Sequence, residues 1–128
     1  MAALEQIKTT AAPAAIGPYS QAIKTSSLVF MSGQIPLNPV TMELVEGGIE
    51  AQTRQVFENL TAVATAANSR LQNAVKLTIY LTDLNDFAVV NGIMAEHFQE
   101  PYPARATIQV SALPKGSMVE IDAVLCAD

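Results

Sequence analysis

Apolar residues recur along this chain in two rhythms, and the switches between them mark its elements. Over residues 49–67 the period is helical. Ile49, Val56, Phe57, Leu60, Val63, Ala64 and Ala67 line one face, while Glu50, Arg54, Glu58 and Thr61 lie mostly elsewhere. Glu50 suits the positive start of such a helix and stands four residues ahead of Arg54, a favourable pairing. Over residues 75–81 the rhythm becomes strict alternation, Val75, Leu77, Ile79 and Leu81 against Lys76, Thr78 and Tyr80, which predicts a strand with one face in the core. Asp83 then caps a second helix with the stripe Phe87, Val90, Met94 and Phe98, and Pro101 and Pro103 stop it.

Shorter runs complete the pattern. Residues 11–15, around Pro13, read as a loop, and Gly17-Pro18 punctuates the chain before a short stretch at 19–24. With the turn residues Thr25, Ser26 and Ser27, that stretch forms a hairpin with the strand at 28–31, which enters Ser32-Gly33; Pro36 and Pro39 end it. Two more strands close the chain. Residues 104–111 set Ala106, Ile108 and Val110 against Arg105, Thr107 and Gln109; residues 118–126 turn Val119, Ile121, Ala123 and Leu125 inward, with Glu120 and Asp122 opposite. Leu113-Pro114-Lys115-Gly116 connects them. The order ββ, α, β, α, ββ predicts an α+β domain whose helices cover one sheet face. On this reading the other face carries Arg105, Thr107, Glu120 and Asp122. Such a charged face in hydrophobic strands is either wet or shared with another subunit.

Composition narrows the function. A length of 128 residues fits one domain, 1–128. Half the residues are apolar and 15% are charged, too hydrophobic for disorder and consistent with apolar surface covered by another subunit. The net charge of −5 repels phosphate backbones and anionic membranes, so nucleic acid is not an expected partner. Glu5 and Lys8 interrupt any apolar start, and no run approaches the roughly 18 residues a membrane span requires. Cys126 is the single cysteine, which fits a reducing, cytoplasmic setting.

His97 and Cys126 alone cannot make a transition-metal site, and no metal or other cofactor is expected. His97 reads as a half-exposed, neutral, structural histidine and Cys126 as a small buried hydrophobe. Gly47-Gly48 reads as a turn before the helix. Arg105 is different, because its guanidinium offers a fixed fork of donors that matches a carboxylate. It serves either that purpose or a surface salt bridge to Glu120 or Asp122. Glu120, between Val119 and Ile121, is either a solvated strand residue or a carboxylate able to relay a proton. Ser32-Gly33 allows close approach of a ligand to the backbone, or marks a β-bulge.

Four separated motifs resemble the Rid family, also called the YjgF family, and within it the RidA deaminases. They are Ala14-Ala15-Ile16-Gly17-Pro18-Tyr19-Ser20-Gln21-Ala22, Ser32-Gly33-Gln34-Ile35-Pro36-Leu37-Asn38-Pro39, Leu81-Thr82-Asp83-Leu84-Asn85-Asp86-Phe87 with Asn91, and Pro103-Ala104-Arg105 continuing through Leu113-Pro114 to Val119-Glu120-Ile121. The resemblance implies a chorismate-mutase-like α+β fold, a mixed sheet with two helices on one face, assembled as a homotrimer with its sites between subunits. It implies hydrolysis of 2-iminobutanoate and 2-iminopropanoate to 2-oxo acids and ammonia. Arg105 would grip the substrate carboxylate, Glu120 would orient or activate water, and the backbone at Gly33 and around Thr107 would donate hydrogen bonds. Tyr19, Ser32 and Asn91 would shape the pocket. Many relatives carry Cys where this chain has Thr107. An endoribonuclease or translation inhibitor, and a non-catalytic or chaperone-like trimer that binds 2-oxo acids, are the alternatives.

Overall fold

A single mixed sheet organises the computed structural model, which describes residues 3–127. In chain order its elements are β1 (Glu5–Ile7), β2 (Ala22–Thr25), β3 (Leu28–Gln34), α1 (Gly48–Ala66), β4 (Ala74–Leu81), α2 (Phe87–His97), β5 (Ala104–Gln109) and β6 (Val119–Cys126). The strands lie in the order β1-β2-β3-β6-β4-β5. Only β4 and β5 run parallel; the other neighbours are antiparallel. Parallel neighbours need a crossover, and α2 supplies it.

The helical stripe read over residues 49–67 is the inner face of α1, where Val56, Phe57, Leu60, Val63 and Ala64 are fully buried. They join one core with Val29, Met31, Leu77, Ile79, Leu81, Ile121 and Leu125 of the sheet and Val90, Ile93 and Met94 of α2. At about 1.5–3 kcal/mol for each large aliphatic or aromatic side chain, this layer is the main support of the fold. Lys24 Nζ closes it at one end by donating to the carbonyl of Ala67, just past α1, at 3.0 Å. The hairpin of β2 and β3 turns at Ser26-Ser27, as the pattern predicts.

Four details differ from the sequence reading. β1 was not expected, because within its three residues only Ile7 is buried and no alternation shows. Val75 is exposed. The pairing of β4 with β6 shifts between Ala74 and Lys76, so Ala74 takes the inward place. Asp83 caps a 3-10 turn, Leu84–Asp86, rather than α2 itself, its side chain accepting from Asn85 N–H at 2.9 Å.

The largest difference concerns which face carries the charges. In the ladder of β4 with β5, Leu77 lies beside Arg105 and Ile79 beside Thr107. Leu77 and Ile79 point into the core, so Arg105 and Thr107 project from the helix side. Glu120 and Asp122 pair with Tyr80 and Thr78 and project from the other side. Alternation fixes which residues of one strand share a face. The phase between two strands is set by their pairing, which alternation does not contain.

Candidate functional site

Arg105 is the second residue of β5, at the sheet edge, and α2 runs past it. Phe87, Asn91 and Met94 lie at i, i+4 and i+7 on α2, so one helix face presents all three. Arg105 Nη1 donates to Asn91 Oδ1 at 2.6 Å and approaches Met94 Sδ at 3.6 Å, and its Cζ sits 5.0 Å from the centre of the Phe87 ring. All three partners are neutral. The salt bridge to Glu120 or Asp122 does not form. Among the described residues the ion pairs are those of Arg54, with Glu50 at 3.5 Å and with Glu96 at 3.0 Å. Among the described residues Nε and Nη2 of Arg105 therefore keep their donors, the fork that fits a carboxylate edge.

Two open clefts meet at this side chain. One, of about 490 Å³, is lined by Asn91, Met94, Ala95, Tyr102, Pro103 and Arg105; the other, of about 420 Å³, by Leu84, Phe87, Arg105 and Thr107. Thr107 Oγ1 is buried and has no hydrogen-bond partner among the described residues. Gln109, next on the same side of β5, accepts from Leu84 N–H at 2.9 Å and so ties down the start of the 3-10 turn.

A second cluster forms where β3 meets β6. The pairing shifts between Met31 and Gln34, which puts Ser32 and Gly33 in a bulge. Glu120 occupies the space a side chain at Gly33 would need. A Cβ there would overlap Glu120 Oε2 and stand 2.9 Å from its Cδ. Bulge and close approach are thus one feature, with a carboxylate as the close neighbour. Burial, and secondarily the charge of Asp122, push the Glu120 carboxyl above the ordinary glutamate range. Ser32 Oγ donates to the carbonyl of Ser20 at 2.6 Å, and exposed Tyr19 lines a cavity of about 320 Å³ with Gly33, Gln34, Met42 and Lys115.

Of the expected site residues, the structure therefore gathers Arg105, Asn91 and Thr107 in one place, and Tyr19, Ser32, Gly33 and Glu120 in another. Sequence reasoning did not single out Gln21. This buried side chain accepts from Thr9 N–H at 2.7 Å and donates to the carbonyls of Thr9 and Pro13, at 3.0 and 2.7 Å, fixing the loop that delivers Tyr19. A glutamine placed between the Gly17-Pro18 break and the apolar start of a strand was the available signal. Phe87 and Met94, read only as core, also seat Arg105.

His97 stacks on Phe57 with ring centres 4.7 Å apart, and burial lowers its proton affinity, the structural histidine expected. Cys126 is exposed rather than buried, because it falls on the outward phase of β6. Gly47 and Gly48, at φ 113° and 74°, form the turn into α1. Among the described residues no three His, Cys, Asp or Glu side chains group as metal ligands, and no helix is long and apolar enough to cross a membrane.

Comparison with known proteins matches residues 9–126 to the family model described as Endoribonuclease L-PSP. The chain belongs to this family, the Rid or YjgF family. It is 48% identical over 118 residues to the mouse 2-iminobutanoate/2-iminopropanoate deaminase, covering 92% of this chain and 87% of that protein. It is 52% identical over 124 residues to Protein DfrA of Myxococcus xanthus, covering 95% of each. Its fold superposes on the crystal structure of RidA from an Antarctic Psychrobacter with a TM-score of 0.92 at 52% identity, covering 95% of this chain and 98% of that one. The Rid fold thus accounts for the mixed sheet and its two helices. Relatives named as deaminases make an enzyme the first functional class to consider.

Proposed function

We propose that this Rid protein hydrolyses small 2-imino acids, 2-iminobutanoate and 2-iminopropanoate among them, to 2-oxo acids and ammonia. The observation that carries the reading is the Arg105 guanidinium, fixed by three neutral neighbours at the junction of two clefts with Nε and Nη2 unspent. A carboxylate docked on that fork is held in two parallel hydrogen bonds. Mouse, bovine and human relatives carrying the deaminase name support the same substrate class.

The chemistry needs few groups. Water adds to the carbon of the protonated C=N bond and loses a proton; the resulting amino alcohol takes a proton on nitrogen, ammonia leaves, and the hydroxyl gives up its proton as the C=O bond forms, that proton going off with ammonia as ammonium. Glu120, whose proton affinity burial raises toward the working pH, accepts the first proton and returns one to the departing nitrogen. Backbone N–H groups at Gly33 and around Thr107 orient the substrate, with Tyr19, Ser32 and Asn91 shaping its surroundings.

Arg105 and Glu120 project from opposite faces of one sheet, so a site that uses both draws them from two copies of the chain. The unpaired edge of β5 and the exposed Phe30 and Ile108 on the open face favour such contacts, and a homotrimer with a site at each seam is the assembly proposed. The net charge of −5 weighs against nucleic acid as the partner, and a single arginine suits one small carboxylate-bearing metabolite.

The test couples a threonine dehydratase to this protein. Faster release of ammonia and 2-oxobutanoate is expected, with Arg105→Ala losing about a hundredfold of the acceleration. Binding of 2-oxobutanoate without acceleration would replace the enzyme with a binding protein. RNA cleavage lost together with Arg105 would favour the ribonuclease reading.

A further inference from the structure

The open face of the sheet carries two carboxylates on one strand, and the mechanism above uses one. Glu120 and Asp122 are two residues apart on β6 and point the same way, about 7 Å from Cα to Cα. Across the ladder Tyr80 pairs with Glu120 and Thr78 with Asp122. The Tyr80 hydroxyl reaches diagonally to donate to Asp122 Oδ2 at 3.0 Å. A half-buried acid that receives a phenolic hydrogen bond beside a second acid serves no core purpose. Resting on the deaminase reading, we propose that Asp122, clamped by Tyr80, is a positioning residue that tunes proton transfer at Glu120.

The surroundings leave Asp122 as the charge that matters. From β3, Glu120 meets Gly33, which has no side chain, and the hydroxyl of Ser32 lies in the same bulge. From β4 it meets Tyr80. β5 contributes Ala106 and Ile108 to this face, neither titratable. Lys76 is on the face too, but it pairs with Val124, four pairs of the ladder beyond the Glu120 pair, and forms no ion pair among the described residues. Lys115 lines the cavity at Gly33 without forming an ion pair to Glu120. Burial penalises ionisation of Glu120 first, and the neighbouring carboxylate of Asp122 adds to the penalty. Proton affinity in Tyr80 rises for matching reasons, burial first and then Asp122, so the phenol stays protonated and keeps donating. A carboxyl brought closer to the working pH serves both proton transfers of the reaction better than one that is fully ionised.

The sign of the effect follows. Removing the Asp122 charge lets Glu120 ionise more easily, so its titration midpoint falls. In Asp122→Asn the Glu120 carboxyl, followed by carbon NMR on the assembled protein, is expected to titrate at a lower pH than in the wild type. The acid limb of kcat/KM against pH moves the same way. Tyr80→Phe, which keeps the charge but loosens its clamp, gives a smaller shift in the same direction. A midpoint unmoved in both variants overturns the proposal. If the wild-type protein fails to accelerate imine hydrolysis, the deaminase reading falls, while the NMR midpoint still decides whether Asp122 acts on Glu120.

Discussion

The two sides of the sheet hold charge in opposite and complementary ways. On the helix side a cation, Arg105, is held by an amide, a thioether and an aromatic ring, and among the described residues no carboxylate forms an ion pair with it. On the open side two carboxylates, Glu120 and Asp122, stand in one row with a phenol for support, and among the described residues no cation forms an ion pair with either. Each side is electrostatically incomplete. A protonated 2-imino acid is incomplete in the matching sense, since its carboxylate wants a cation and its iminium end wants an anion. On the proposed trimeric reading, the two halves meet across a seam between chains, where one small zwitterion would satisfy both.

The sharpest way to break this comparison is to disable the halves separately. Arg105→Ala keeps the carboxylate side intact, and Glu120→Gln keeps the guanidinium side; each alone is expected to lose about a hundredfold or more of kcat/KM. Co-expressed in equal amounts, they regain activity at those seams where an intact arginine half meets an intact glutamate half. Random mixing makes that about a quarter of the seams, so about a quarter of wild-type activity should return. A site built within one chain would recover nothing, and the two-copy argument would end there.

Much of this arrangement was legible in the sequence, and the illegible part has a physical cause. The stripe from Val56 to Ala64 and the alternation from Leu77 to Leu81 bury what they should, because hydrophobic period reports burial directly. Arg105 and Glu120 could be picked out because each is a charge in a strongly apolar strand. Apolar Ala106, Ile108 and Val110 suggest a core side for β5, which sets Arg105 on the same outer face as Glu120; the pairing with β4 reverses that phase. That phase depends on backbone hydrogen bonds, which no side chain at β5 advertises. Val75 failed for a related reason. A bulge adds one residue and reverses the alternation locally. Gln21 and Tyr80 matter through hydrogen bonds to distant residues, and pairwise contacts of that kind leave no periodic trace.

A smaller perturbation sharpens the open side alone. Gly33→Ala introduces a methyl where Glu120 now lies, 2.9 Å from Cδ and overlapping Oε2. The φ of Gly33 is not in the left-handed region, so the backbone accepts alanine and the carboxylate must move instead. Displacing a proton-transfer group by about 1 Å costs 10- to 100-fold in kcat, while folding stability changes by about 1 kcal/mol or less. Enzyme kinetics beside a denaturant melt separate the two. A variant that loses stability but keeps kcat would show that Gly33 serves the fold and not the seat of Glu120.

The smallest expected effect concerns the helix side and decides how Thr107 takes part. Two buried hydroxyls lack partners among the described residues, Thr53 on the buried face of α1 and Thr107 beside Arg105. An unsatisfied buried hydroxyl is a cost, and valine fills nearly the same volume without it. Thr53→Val is therefore expected to raise unfolding free energy by about 1 kcal/mol. Thr107→Val should do the same if Thr107 serves the substrate through its backbone N–H, and kcat/KM should then stay within about threefold of wild type, the scale of one marginal contact. If the hydroxyl instead reaches the substrate across the seam, its removal leaves a substrate group unpaired. Activity then falls by more than tenfold, whatever the gain in stability. Parallel melts and kinetics on the two valine variants distinguish a hydroxyl left over from packing from one kept for the ligand. The present geometry, with Thr107 Oγ1 shielded while Arg105 is open to solvent, favours the first outcome.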